Sequence, residues 1–180
     1  MLNQSISSKK IAIVIAFREF RDIEYFIPRN ILAGVGAQIV TCSTQKGTAI
    51  GADGGEVEVD LLISEINIED FDAVVFIGGS GMAKNLDSPD FQRIAKEAVE
   101  RGKVLGAICI APVLLAKAGV LSGKKATVWS SPLDKSAVKM LKEGGATYVA
   151  EDVVTDGKLV TANGPGAAKK FGEALTNLLK

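Results

Sequence analysis

Lys103-Val104-Leu105-Gly106-Ala107-Ile108-Cys109-Ile110-Ala111-Pro112-Val113-Leu114-Leu115-Ala116-Lys117-Ala118 is the stretch whose reading decides the fold. It opens as an apolar, β-type approach and closes as a strong helix former. Cys109 therefore stands where a buried strand turns sharply into a helix. Ala107 and Ala111, two places to either side, give the small-x-nucleophile-x-small spacing of a nucleophile elbow, with sulfur in place of a serine hydroxyl. The small neighbours are needed because the backbone crowds itself at so tight a turn. Pro112 suits a first helical turn, where a missing N–H costs nothing. A thiol at a helix N-terminus feels the positive end of the dipole, so Cys109 is expected to be a low-pKa thiol. The bland alternative is a small buried hydrophobe at a strand end, which a lone cysteine usually is. The elbow spacing favours the reactive reading.

Working outward, the chain alternates strands and helices. Lys10 to Phe17 is β-branched and nearly continuous in apolar character, as expected of a strand buried on both faces. Asp22 to Val35 has helical spacing, with Pro28 expected to kink it or mark a boundary. Gln38 to Ser43 reads as a strand. Thr48 to Asp60 reads as a small hairpin off the main sheet. Ala73 to Ile77 is a buried strand ending in Gly78-Gly79-Ser80-Gly81. Pro89 to Arg101 reads as a helix, Ala126 to Trp129 as a short strand and Leu133 to Glu143 as a helix. Val149 to Thr161 reads as a hairpin turning at Asp156-Gly157. Asn163-Gly164-Pro165-Gly166 then leads into a last helix, Ala167 to Leu179.

Such alternation predicts an α/β fold with a mostly parallel sheet covered on both faces. Sheets of this kind bind ligands at the carboxyl ends of their strands. Four turns therefore belong to one rim: Phe17 to Glu24, Gly78 to Gly81, Cys109 to Pro112, and Asn163 to Gly166. A group of carboxylates, a cluster of backbone N–H donors and a thiol meet there from distant parts of the sequence.

Composition narrows the chemistry. The 180 residues suit one domain with a sizeable core. Lysine plus arginine number 21 and aspartate plus glutamate 21, with no basic run, which argues against a nucleic-acid partner. No apolar stretch approaches a membrane span, so no membrane partner is expected. The polar start lacks the apolar core of a signal peptide, so a cytoplasmic protein with residues 1–8 as a frayed tail is expected. Two cysteines, Cys42 and Cys109, make no disulfide scaffold. The most limiting fact is that the chain contains no histidine. A Cys–His dyad or Ser–His–Asp triad is impossible within it, or within a homo-oligomer of it. Zinc would have only the two cysteines and carboxylates, so no metal is expected. Any general base must be a carboxylate, a lysine, a tyrosine or water.

The candidates carry alternatives. Gly78-Gly79-Ser80-Gly81 reads as an oxyanion hole of backbone N–H groups, or as a plain tight turn; no G-x-G-x-x-G or Walker pattern marks a phosphate cradle, and no cofactor is called for. Glu19, Asp22 and Glu24 follow the first strand, and each by itself reads more readily as a solvated or capping carboxylate than a catalytic one. Trp129 floors a pocket or packs in the core. Cys42 lies within a strand and reads as core. Lys124 and Lys125 read as a solvated loop.

Together these residues resemble the DJ-1/PfpI (ThiJ/PfpI) superfamily, over essentially the whole chain from about Lys9. Ala107-Ile108-Cys109 with Pro112 is similar to that family's elbow. Asp22-Ile23-Glu24-Tyr25-Phe26-Ile27-Pro28 is similar to its acidic segment, and the spacing to Pro28 selects Glu24. Gly78-Gly79 with Asn85-Leu86, and Gly164-Pro165-Gly166, are similar to two further family stretches. The resemblance implies a flavodoxin-like three-layer α/β/α sandwich, a homodimer, and a reactive Cys109 lying against Glu24. It implies that Glu24 is protonated and hydrogen-bonds the thiolate or its oxidised form. It also implies an anion pocket formed by the N–H groups of Gly79 and Ile110, with Gly78, Trp129, Ser130, Gly164 and Pro165 lining the site. One departure matters. The peptidase-like branch carries a histidine directly after the cysteine, where this chain has Ile110, and other members draw one from the strand ending here at Trp129-Ser130.

The expected activity is cysteine-dependent chemistry on a small reactive carbonyl of glyoxalase or deglycase type, with Glu24 moving the proton. The alternatives are a stress sensor or chaperone that works through oxidation of Cys109 by a small oxidant, and a peptidase, which the missing histidine disfavours.

Overall fold

The computed structural model describes residues 6–180. A seven-stranded sheet runs in the order β11-β12-β8-β7-β1-β3-β6. Its strands are β1 (Lys10–Val14), β3 (Gln38–Ser43), β6 (Leu61–Leu62), β7 (Ala73–Phe76), β8 (Val104–Ile108), β11 (Val153–Asp156) and β12 (Leu159–Ala162). All neighbours pair parallel except β11, which pairs antiparallel with β12 at one edge.

Side chains leave the central strands alternately to the two faces, which makes two cores. On one face Ala12, Val14, Val74, Phe76, Leu105 and Ala107 pack under α3 (Pro89–Glu100), α4 (Ala111–Lys117) and α5 (Ser136–Glu143). On the other, Ile11, Ile13, Ala73, Val75, Val104 and Ile108 pack under α1 (Asp22–Gly34) and α6 (Ala168–Leu179). This three-layer arrangement explains why the strands read as continuous apolar runs rather than alternating ones. Gly106 allows α6 to sit close, because a Cβ there would come within 2.9 Å of Leu175 and 3.1 Å of Phe171. Gly172 does the same for the α1–α6 contact, where a Cβ would come within 3.0 Å of Pro28.

A smaller three-stranded sheet, β2 (Arg18–Phe20), β4 (Gly47–Gly51) and β5 (Glu56–Val59), sits beside the rim. The expected hairpin is β4–β5, in antiparallel register from Gly47↔Val59 to Ile50↔Glu56. β2 pairs parallel with β4 and falls inside the segment read as a turn. Glu19, at its centre, has φ 59, so no strand periodicity marks it.

Other boundaries move. The first strand stops at Val14. Pro28 neither ends nor splits α1, which continues to Gly34 with Pro28 buried. The strand expected over Ala126 to Trp129 shrinks to β9 (Lys125–Ala126), paired with β10 (Thr147–Tyr148). Beyond β9, Thr127 and Trp129 still donate backbone bonds, to Thr161 Oγ1 and to the Cys109 carbonyl. α5 begins at Ser136, three residues later than expected, behind an Asp134 side chain that accepts from the Ser136 amide at 2.9 Å. The last hairpin begins at Val153 rather than Val149. Of the tail expected to fray, residues 1–5 lie outside the described residues. Ile6 is anchored: it is buried in the α1/α6 core and its amide donates to the Val35 carbonyl. Among the described residues no helix is long and apolar enough to cross a membrane.

Candidate active site

Cys109 is the joint between β8 and α4, and its backbone has φ 65. A left-handed conformation costs a side-chain-bearing residue about 1–2 kcal/mol, so something must hold it. The Cys109 amide donates to the Ala162 carbonyl at 2.9 Å, and its carbonyl accepts from the Trp129 amide at 2.9 Å. The turn is thus pinned from β12 on one side and from the segment after β9 on the other.

Glu24 lies in the first turn of α1 and is fully buried. Its Oε2 accepts from the Gly78 amide at 3.1 Å, while Oε1 has no hydrogen-bond partner among the described residues. Burial raises the carboxyl to about 7, against the opposing pull of the Cys109 thiol, the Gly78 amide and the Arg21 charge. Gly78 is what lets acid and thiol meet: a Cβ there would come within 2.6 Å of Cys109 Cβ and 2.7 Å of Glu24 Oε2. Gly79, with φ 109, has no room for a side chain against the backbone of Glu19 and Arg21. Close approach therefore requires glycine at both positions, and the positive φ requires it at Gly79 as well.

The thiol itself corrects an expectation. Burial pushes Cys109 up to about 12, and the Glu24 charge and hydrogen bond push the same way, while the N–H groups of Ile110 and Gly79 pull it down. The seven-residue α4 does not outweigh desolvation and a neighbouring carboxylate. Acid and thiol share one site, so the first proton leaves the pair near neutrality and the second only in strong alkali.

Of the other carboxylates, Asp22 turns away. It accepts from the amides of Asp53 at 2.8 Å and Gly55 at 2.6 Å, tying down the β4–β5 turn. Glu19 pairs with Lys84 at 2.6 Å on the surface. Cys42 is completely buried, and burial with the Asp60 charge pushes its thiol up to about 12.

The cleft over the thiol has a volume of about 470 Å³ and is lined by Arg21, Glu24, Ala52, Gly79, Ser80, Ala83, Cys109, Ile110, Trp129 and Pro165. Gly164 sits behind Trp129, where a Cβ would lie 3.6 Å from the indole. Ser130 is not part of the lining; its hydroxyl accepts from Lys135 at 3.3 Å. Gly78 lies beneath the acid rather than at the wall. Ser80 belongs to the Gly78–Gly81 turn expected on this rim, whereas Arg21, Ala52 and Ala83 were not singled out. Arg21 stands next to the acidic segment at the end of β2, and its position beside Asp22 was the available signal. A second cleft, about 180 Å³, is lined by Lys103, Lys124 and Lys158 among others and contains neither cysteine. No group of three or more metal-ligating side chains converges among the described residues.

Residues 9–178 match the DJ-1/PfpI family. The chain belongs to the DJ-1/PfpI family. It is 38% identical over 170 residues to an uncharacterized protein of Methanocaldococcus jannaschii, covering 94% of this chain and 82% of that one. It is 32% identical over 162 residues to Deglycase PfpI of Pyrococcus furiosus, covering 90% of this chain and 95% of that one. Among solved structures, the ThiJ/PfpI domain protein from Brachyspira murdochii superposes with a TM-score of 0.89 at 34% identity, covering 94% and 95% of the two chains. Further DJ-1/PfpI relatives carry glyoxalase and cysteine-protease names.

Proposed function

We propose that this DJ-1/PfpI protein is an enzyme acting on small reactive carbonyl compounds through Cys109 and Glu24. The carrying observation is the pairing of a fully buried acid, raised to about 7, with a thiol held at φ 65 in the floor of a cleft. The thiol adds to an aldehyde carbon: a C–S bond forms, and the thiol proton goes to the carbonyl oxygen, giving a hemithioacetal. The N–H groups of Gly79 and Ile110, which act on the sulfur, would stabilise an oxyanion formed beside it. With a 2-oxoaldehyde, Glu24 as carboxylate removes the C–H proton of the adduct and returns it to the adjacent carbon, while the hydroxyl proton of the adduct passes to the neighbouring carbonyl oxygen. That leaves a thioester, which water hydrolyses to a 2-hydroxy acid and the free thiol. An acid titrating near 7 serves both directions of this transfer. The family's deglycase and glyoxalase names support the reading. The absence of histidine disfavours peptide hydrolysis.

Loss of methylglyoxal should be measurable with the wild-type protein and should fall to background with Cys109→Ser and with Glu24→Gln. Consumption that persists in Cys109→Ser sinks the proposal. A sensor reading is favoured by one observation: the same two N–H groups and a protonated Glu24 beside the sulfur would hold a sulfinate. Peroxide that converts Cys109 to a sulfinate, with no aldehyde consumed, would put that reading in its place.

A further inference from the structure

Arg21 is not used by the chemistry above, yet it stands in the wall of the same cleft. Its amide donates to the Gly78 carbonyl at 3.1 Å, so its backbone is fixed against the strand end that carries the anion pocket. Among the described residues its side chain makes one ion pair, Nη1 to Asp53 at 3.8 Å, too long for a hydrogen bond. The two side chains are 42% and 57% exposed, so water screens the pair. The Arg21 Nε is buried and has no hydrogen-bond partner among the described residues. Among the described residues, a guanidinium with five donors thus finds no protein hydrogen-bond acceptor.

The surroundings point the same way. Ala52, Ala83, Ile110, Trp129 and Pro165 give the cleft a mainly neutral wall. The other ionisable groups in the lining are Glu24 and Cys109, and burial keeps both protonated up to about neutrality. The cleft is then net positive, with its charge on a planar fork suited to two carboxylate oxygens. A cleft of about 470 Å³ also has room for more than a three-carbon aldehyde.

We infer that the cleft takes carbonyl compounds that carry a carboxylate, with the carboxylate seated on Arg21 and the carbonyl carbon presented to the Cys109 sulfur. This deepens the proposed function and rests on its assignment of Cys109 as the attacking group. Arg21 sets specificity by position and charge, and it takes no part in proton transfer.

The test uses two alkylating agents of nearly equal size, iodoacetate and neutral iodoacetamide. Rates of Cys109 labelling are followed by peptide mapping in the wild-type protein, Arg21→Gln and Arg21→Lys. Both reagents attack the same thiolate, so their rate ratio cancels any change in thiol ionisation. The iodoacetate-to-iodoacetamide ratio should fall about tenfold in Arg21→Gln, the size of one charge-assisted hydrogen bond, with Arg21→Lys between. Glyoxylate should protect Cys109 from iodoacetamide at lower concentration than neutral acetaldehyde does, and this preference should vanish in Arg21→Gln. Circular dichroism checks that the variants fold, as the exposed part of the side chain leads one to expect. A ratio unchanged by Arg21→Gln overturns the inference, even if methylglyoxal is consumed and the proposed function stands. A ratio that falls while no aldehyde is consumed upholds the anion seat and removes the proposed function.

Discussion

Replacing Glu24 by glutamine tests the buried acid without changing its shape. In the folded protein burial raises this carboxyl from 4.5 to about 7. In the unfolded chain it titrates near its ordinary value. Between those two values the folded state binds a proton that the unfolded state has already released, so stability falls as pH rises. The contribution is fully present below about pH 4.5 and is gone once pH has passed about 7. At about 1.4 kcal/mol for each tenfold change in acidity, the rise amounts to about 3 kcal/mol. Glu24 is fully buried, so solvent screening does not reduce this figure appreciably. Glutamine does not titrate, and the other ionisable groups are common to both proteins. Urea unfolding at about pH 5 and about pH 8 should show the wild type losing about 2.5 kcal/mol more than Glu24→Gln between the two, the rest of the change lying below about pH 5. Parallel pH profiles for the two proteins would refute the assignment of a protonated, desolvated Glu24.

Three further outcomes follow from the same geometry. Above neutrality the Glu24 charge holds the thiol up, so Glu24→Gln should move the onset of Cys109 alkylation to lower pH; an unshifted profile would show that the two groups do not interact. Native alkylation should label Cys109 and spare the fully buried Cys42, which should react only after denaturation, as peptide mapping will show. Gly78→Ala forces a Cβ into both Cys109 and Glu24, so it should destabilise by about 1–3 kcal/mol in urea unfolding and abolish methylglyoxal consumption, whereas wild-type behaviour would mean that the close approach does not exist.

The layered fold was legible because burial on both faces leaves an unbroken apolar run, as in Lys10 to Val14 and Ala73 to Phe76. What escaped reading were the elements whose stability is not local. β2 has three residues, a positive-φ Glu19 and pairing to a strand some thirty residues away, so no periodicity announces it. Pro28 was expected to kink α1 or mark its boundary, but the helix runs on through it to Gly34 with the face around it held by α6, Gly172 providing the space. Packing of that kind outweighs an intrinsic helix penalty of about 3 kcal/mol. The retreat of α5 to Ser136 follows a local turn in which the Asp134 side chain accepts from the Ser136 amide, which hydrophobic spacing cannot show.

The site was legible in its residues and not in its electrostatics. Cys109, Glu24, Gly79, Ile110, Trp129 and Pro165 all reach the cleft, because motif spacing records which backbone turns meet at one rim. The sign of the thiol's shift was not readable, since the short helix end that would lower it is visible in sequence while the burial that raises it is not. Glu24 illustrates the same limit from the other side. One of three nearby carboxylates, it differs from Asp22 and Glu19 only in what surrounds it: Asp22 accepts two amides and Glu19 a lysine, whereas Glu24 has one amide and an orphan oxygen. A carboxyl taken fully out of water with few donors keeps its proton to higher pH. Burial, set by the fold and only partly offset by the Cys109 and Gly78 donors, is therefore what separates the proton carrier from its structural neighbours. Supplying a donor to Oε1 should pull the Glu24 carboxyl down toward its ordinary value.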